Sequence, residues 1–234
     1  NIPAISWAEG DPSQGFTNGY SKYTAINSAG TILMARRPDG YVSFYNINSC
    51  NYLGTLPITT TNGVNVDISD PRWSRVSGEE NIIIYHNGSK FYKQDVLLGI
   101  NSKIEIGDVA PYTIPIKAGE EADWDDFGRY FGLKVQDSAG VIYLAVFDRQ
   151  IGNLLPGVIQ QNPNAVDVSP DGQWLAVLPH TSCSRSTDNR FYKISDLSNS
   201  ITTNYVIVNS TLTSSIDCPG MGVVYRSIGH NGWA

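Results

Sequence analysis

"AVDVSPDGQWLAVLPH", residues 165–180, sets a Ser-Pro-Asp-Gly turn between two short apolar runs, with Trp174 just beyond the turn. Gly supplies the positive φ that a tight connection needs, and Ser, Pro and Asp favour the positions ahead of it. The stretch therefore reads as a β-hairpin. Whether it is one hairpin of an ordinary sheet or one copy of a repeat decides the fold.

It recurs. "NVDISDPRW" at 65–73 aligns with "AVDVSPDGQW" at 165–174, which puts Asp67 and Asp167 100 residues apart, and "FYK" at 91–93 returns at 191–193 over the same interval. An intermediate copy, "DWDDFGRYFGLKVQDSAGVIYLAVFD", occupies 123–148, and an earlier one, "YTAINSAGTILMARRPDGYVSFYNIN", occupies 23–48. Gly30, Gly78, Gly128 and Gly172 each precede a strand-like run, at spacings of 48, 50 and 44 residues. Gly40, Gly88 and Gly140 close the next hairpin. Each unit then holds an inner strand A, a strand B of the "WLAVL" type, a strand C of the "FYKIS" type and an edge strand D such as "YLGTLPI" or "NYVIV". Trp73, Trp124 and Trp174 fall 51 and 50 residues apart, a period that marks all three as structural rather than as a binding platform.

Units of four short strands repeating every ~40–50 residues predict an all-β fold, a β-propeller of four-stranded antiparallel blades. One such sheet cannot bury both faces alone, whereas stacking twisted sheets on one another covers them. A β-sandwich with coincident turn spacing is the competing architecture. The expectation is a single domain over 1–234, with blades at about 20–60, 64–108, 118–161 and 164–209 and a partial fifth at 220–234. A fifth blade cut short by the end of the chain would leave hydrogen-bonding edges open. The chain is then either part of a larger ring or completed by another chain.

"VDVSPDGQWLAVL" resembles the Ser-Pro-Asp-Gly-x-x-Leu-Ala motif of TolB-like propellers, distant relatives of WD40-like repeats. The resemblance is good over 165–178 and fainter over 65–95 and 23–48, and the Gly-His and Trp-Asp pair of true WD repeats is missing. What it implies is a fold; such blades serve partner binding, peptidases, lyases and glycan handling alike.

Composition narrows the partners. A net charge of −6, with no basic cluster longer than Arg36-Arg37, argues against nucleic acid, whose phosphates demand clustered cations. No apolar run reaches the length of a membrane span. Charged residues make up only 16%, and neutral polar residues fill the gap. The first residue is Asn1 rather than Met, which reads as a processed or trimmed product. Asn-x-Ser/Thr acceptors at Asn87 and Asn209 fit a glycoprotein, and the three cysteines lean the same way, toward a secreted or cell-surface, extracellular protein.

In such a fold the B–C and D–A connections leave on one face and the A–B and C–D turns on the other. His86 and His180 each end a B strand and so share the first face, as weak candidates for ligand binding. Asp67 and Asp167 begin inner strands and face the axial channel or cap the local backbone. "GEEADWDD", 119–126, gathers five carboxylates; Glu120, Glu121 and Asp123 are its candidates for a divalent cation, without the spacing of a calcium loop. No other cofactor is indicated, and no catalytic motif is present. Cys183, in a long B–C loop, and Cys218, after strand D, emerge on one face and are expected to pair across about 35 residues, leaving Cys50 unpaired.

The functional expectation is a binding or assembly module for protein or glycan. The alternatives are a carbohydrate-active enzyme, polysaccharide lyase or glycoside hydrolase, with its site at the channel mouth, and a structural subunit of an extracellular filament. Self-association through the incomplete blade is a further expectation.

Overall fold

The structure, a computed structural model, describes residues 25–36, 42–56, 71–115, 124–161, 163–179 and 190–202. They form four antiparallel sheets in chain order. The first is β1 (Ile32–Arg36), β2 (Val42–Asn46) and β3 (Tyr52–Leu56), with Ile26 bridging to Leu33 at its inner edge. The second is β4 (Arg72–Trp73), β5 (Ile82–Asn87), β6 (Lys90–Asp95) and β7 (Ile104–Asp108). The third is β8 (Tyr130–Gln136), β9 (Ile142–Asp148) and β10 (Asn153–Leu154), where Trp124 bridges to Phe131 and Ile159 to Leu144. The fourth is β11 (Pro163–Val168), β12 (Trp174–Pro179), β13 (Arg190–Lys193) and β14 (Asp196–Thr202). Two sheets thus carry four strands; in the other two, isolated bridges stand where a further strand was expected. No α-helix occurs among the described residues, only a 3-10 turn at Gly99–Ser102.

The turn glycines are where the repeat places them. Gly30, Gly78, Gly128 and Gly172 all lie in A–B turns at φ of 70, 86, 66 and 67°. The equivalent residues ahead of them are Asn27, Ser74, Asp125 and Ser169, spaced by 47, 51 and 44. Each donates its N–H to the carbonyl that starts strand B, at Ile32, Ile82, Tyr130 and Trp174, over 2.8–3.1 Å. Each also turns its side-chain oxygen inward to accept turn N–H groups. Asn27 takes those of Thr31 and Ile32, Asp125 those of Arg129 and Tyr130, Ser169 those of Gln173 and Trp174, and Ser74 that of Val76. All four are buried, which an unbonded polar group would not tolerate.

Against this frame the 100-residue interval does not superpose equivalent residues. Ser74 and Ser169 are 95 apart, and the strand-B starts Ile82 and Trp174 only 92, because the A–B turn of the second sheet holds three extra residues. Phe91 lies opposite His86, the fifth residue of β5, whereas Phe191 lies opposite Ala176, the third of β12. The place held by Asp167 is held in the second sheet by Arg72, while Asp67 lies outside the described residues. Trp73 and Trp124 are equivalent, one residue before the capping position; Trp174 instead opens strand B. The fourth strand of the last sheet is Asp196–Thr202 rather than "NYVIV", which falls outside the described residues together with Gly40 and the expected fifth blade.

Alternation along β5 shows why the sheets stack. Ile83 and Tyr85 pack with Phe44, Met34 and Trp73 against the first sheet, while Ile84 faces the third with Phe91. Trp73 meets Phe44 of the first sheet edge to face at 5.8 Å, and Trp124 meets Phe91 of the second at 6.3 Å. Phe91 also stacks on Phe147 at 4.2 Å. β9 is buried over its last five residues because sheets cover both its faces, and its near-continuous apolar run follows from that.

Polar contacts between A–B turns repeat from sheet to sheet. The Asn27 amide donates to the Glu80 carbonyl at 3.0 Å, Arg75 pairs with Asp126 at 2.8 Å, and the Asp126 N–H donates to the Pro170 carbonyl at 2.9 Å. A Cβ on Gly172 would sit 2.9 Å from the Asp125 carboxylate, so its glycine serves both φ and approach. Between the second and third sheets, Glu79 accepts from Ser74, from Lys93 at 2.9 Å and from Arg149 at 2.6 and 2.8 Å. Burial raises the Glu79 carboxyl, but these hydrogen bonds outweigh it and hold the group below the usual range.

Two predictions follow from these turns. Glu79→Gln leaves Arg149 and Lys93 without their anion and should cost about 1.5–3 kcal/mol of unfolding free energy at neutral pH. Because the folded pKa is depressed, wild type keeps this advantage above the ordinary glutamate value near ~4.3 and loses it as pH falls through the lower folded value. Urea unfolding at neutral and acid pH reads the gap; an unchanged gap refutes the assignment. Asp125 is shifted the other way: burial raises its carboxyl more than the Tyr130 and Arg129 N–H groups lower it. Its charge therefore weakens the fold as pH rises through the raised folded value. Asp125→Asn keeps the accepting oxygen, as Asn27 does, and should match or exceed wild-type stability at neutral pH. Asp125→Ala should lose about 2 kcal/mol by stranding two N–H groups. Equal melting of the two variants would remove the capping role.

Candidate functional site

The A–B and C–D turns of the third and fourth sheets frame a solvent-open cleft of about 690 Å³, within the ~300–1,000 Å³ of ligand pockets. Its walls come from the start of β8, the end of β9, the chain after β10, the turn at Gly172–Trp174, and Lys193–Ser198. Each functional side chain is placed by the strand pattern. Arg129 and Tyr130 follow the Asp125-capped turn, and Asp148 sits opposite Tyr130 across the β8–β9 ladder. Lys193 sits opposite Trp174 across β12–β13.

Arg129 holds Asp148 in a fork, with Nε 3.2 Å from both carboxylate oxygens and the terminal nitrogen 2.8 Å from one. The Asp148 side chain is 2% exposed and also accepts the Gln150 N–H at 2.8 Å. The hydrogen bond to Asp148 raises the Arg129 pKa further, so the guanidinium is permanently charged. It lies 4.6 Å from the centre of the Tyr130 ring. The Lys193 ammonium lies 5.5 Å from that of Trp174. Asp196 accepts from Ser198 and Asn199, whose hydrogen bonds hold its carboxyl low and ionised.

The cleft therefore offers two aromatic rings, each with a cation beside it, flanked by carboxylates. Ring faces suit flat apolar surfaces and the charges supply orientation. Asp148 is already committed to Arg129 and Gln150, and no histidine lies among the lining residues. The arrangement can hold a ligand by ring contact and by charge.

Of the described candidate site residues, His86, Asn87 and Asp167, none lines this cleft. His86 is the penultimate residue of β5, half-buried, its ring 6.0 Å from that of Phe91. Asn87 follows it at the strand end. Asp167 lies in β11 of the fourth sheet, 2% exposed. His180, Asp67, Glu120, Glu121, Asp123, Cys183, Cys218 and Asn209 lie outside the described residues. Of the acidic stretch, Asp125 caps a turn and Asp126 pairs with Arg75. No group of three metal-ligating side chains occurs among the described residues. Cys50 has a free thiol, in the C–D turn of the first sheet at φ 57°. Trp174, a blade residue by its periodicity and the first residue of β12, is also a wall of the cleft. The signal that could have set it apart is its position after the turn glycine, where Trp73 and Trp124 precede theirs.

No family model and no curated protein matches the chain. Solved structures do. An oligogalacturonate lyase from Vibrio parahaemolyticus is 12% identical with a TM-score of 0.58, over 82% of this chain and 54% of that one. An oligogalacturonate lyase in complex with manganese is 10% identical with a TM-score of 0.55, over 79% and 52%. A chain of the mitotic checkpoint complex is 14% identical with a TM-score of 0.44, over 72% and 48%. The chain spans about half the length of each. At such identities the likeness shows the fold alone: an all-β array of antiparallel sheets of the β-propeller kind.

The Arg129–Asp148 fork makes a prediction of its own. Arg129→Ala strands a buried carboxylate, and because Arg129 itself is 43% exposed the loss should be a screened ~1–2 kcal/mol. Arg129→Lys keeps the charge but not the two-pronged geometry and should fall between. Chemical denaturation of the three proteins tests the order; a lysine variant as weak as the alanine one would refute the bidentate contribution.

Proposed function

We propose that this chain is the propeller portion of a secreted or cell-surface binding and assembly module for protein or glycan. The carrying observation is the cleft between the third and fourth sheets, with Trp174 and Tyr130 beside Lys193 and Arg129, with Asp148 committed to Arg129 and with Asp196 open to a ligand. A glycan would lay a ring face on an aromatic side chain and take its hydroxyl hydrogen bonds from Lys193, Gln173 and Asp196. Extracellular placement is supported by the neutral polar composition and the two glycosylation acceptors, Asn87 and Asn209.

A second reading, a polysaccharide lyase or hydrolase, draws support from the oligogalacturonate lyases among structures of similar fold. It would carry a divalent cation, for which Glu120, Glu121 and Asp123 supply oxygen ligands of the right hardness. A lyase would leave an unsaturated sugar that absorbs in the near ultraviolet.

Binding of the full chain to an array of neutral and acidic oligosaccharides, followed by titration of the best ligand, separates the two. The module reading expects saturable binding without turnover, weakened at least tenfold in Trp174→Ala and unaffected in His86→Ala. Ultraviolet-absorbing product from polygalacturonate would establish the enzyme instead. Binding indifferent to Trp174→Ala would remove the cleft from the site.

A further inference from the structure

Four charged side chains line the cleft between the third and fourth sheets: Arg129, Asp148, Lys193 and Asp196. They differ in how far their charge is answered. Asp148 is buried and held in the Arg129 fork. Asp196 is exposed, yet both of its oxygens already accept donors of its own loop, Oδ1 from Ser198 and Oδ2 from Asn199. Its remaining lone pairs suit a ligand hydroxyl. Lys193 stands opposite Asp196 in the β13–β14 register but forms no ion pair with it. The contact its ammonium makes among the described residues is with the Trp174 ring, 5.5 Å away. A ring face draws the cation without accepting its three N–H donors as an oxygen would.

Arg129 has donors to spare as well. Nε and one terminal nitrogen are spent on Asp148, while Nη1 makes no hydrogen bond among the described residues. The unanswered charge in the cleft is therefore positive. This is not a property of the surface at large: the chain carries −6, and Lys90 and Lys93, outside the cleft, are each paired with a glutamate.

The rings give the charge a direction. Tyr130 is hemmed by the guanidinium, 4.6 Å from its centre, and by Gly172, where a Cβ would fall 3.1 Å from its Cδ2. That leaves Trp174 as the ring better placed to take a flat ligand. A sugar laid on the indole comes within reach of the Lys193 ammonium beside it. A substituent with negative charge then supplies the acceptor that Lys193 lacks, whereas a cationic ligand meets two like charges.

We propose that the ligand of the cleft is an anionic glycan, a sugar whose ring lies on Trp174 and whose carboxylate or sulfate pairs with Lys193. The assignment rests on the reading of the cleft as a glycan site and names the class of glycan it selects. Lys193 is its specificity-determining residue.

Calorimetric titration of the full chain with three oligosaccharides of one backbone and length, neutral, uronate-bearing and sulfated, tests it. The anionic sugars should bind about fivefold tighter than the neutral one, as a partly solvated charge pair allows. The preference should shrink as salt rises from about 0.01 M to about 1 M. A preference for one anion alone supports the assignment and identifies the group. Lys193→Gln should bring the ratio to about one and Lys193→Arg should keep it, since both cations pair with an oxyanion. Lys90→Gln removes the same charge outside the cleft and should leave the ratio unchanged. Should Lys193→Gln misfold, the salt dependence of wild type decides: a preference indifferent to salt overturns the ion pair. Neutral and anionic sugars bound alike, with binding lost in Trp174→Ala, would overturn the charge assignment and leave the cleft a glycan site. A preference that survives Lys193→Gln would overturn it too. Binding of none of the three would overturn both the assignment and the glycan reading beneath it.

Discussion

The A–B turn is the point on which the rest depends. A β-sheet that stacks on both faces must return its chain tightly at the inner edge, where neighbouring sheets crowd the turn and exclude water. Backbone N–H groups buried there need acceptors. Asn27, Ser74, Asp125 and Ser169 supply them from within the turn, and glycine supplies the left-handed residue that completes it. Because each turn is satisfied internally, its outer surface is left to bond the next turn, as Asn27 does to Glu80 and Asp126 to Pro170. At Asn27 the same side chain closes one sheet and bonds its neighbour.

This economy explains what could be read from residues alone. A turn glycine is constrained by backbone conformation, which leaves one letter in the sequence, so the series Gly30, Gly78, Gly128 and Gly172 marked the sheets correctly. The capping residue is constrained only to be a small acceptor, and Asn, Asp and Ser satisfy that equally. Its series was therefore invisible as an identity repeat. The "FYK" pair misled for the same reason in reverse. Strand C requires alternation rather than particular letters, so two identical triplets can sit two residues out of step and still present the same faces. The three-residue insertion between Ser74 and Ile82 then shifted the alignment without disturbing the sheet. The edge of the fourth sheet, Asp196–Thr202, was missed because "DLSNSIT" is polar, as an edge strand covered on one side is free to be.

The candidate site was less legible, since it belongs to no single repeat. Arg129 and Asp148 come from the third sheet, Trp174 and Lys193 from the fourth, and they meet because consecutive sheets present their A–B and C–D turns side by side. Periodicity hides such a site: Trp174 falls close enough to the spacing of Trp73 and Trp124 to look like one of them. Its partner betrays the difference. Trp73 and Trp124 precede the cap and pack inward on Phe44 and Phe91, whereas Trp174 follows the glycine and faces Lys193. One turn's displacement converts a core residue into a wall of the cleft.

The same freedom accounts for how the turns differ along this one face. Where the turn is closed by its own side chains, positions just beyond it are released from packing and can carry whatever surface chemistry is required. On the first two sheets they carry Ile47, Leu97 and Leu98 as well as Arg75 and Glu80, and on the last two they carry Arg129, Lys193 and Asp196 around a cleft. The stacked cores beneath tolerate both, because Ile83 and Tyr85 face one neighbour and Ile84 the other regardless of what the turns display. Stability is stored in pairwise contacts between adjacent sheets, as in other repeat architectures. Each turn can therefore differentiate without a cost to the sheets it joins. Exposed apolar side chains on one pair of sheets and a polar cleft on the next are two uses of the same structural freedom.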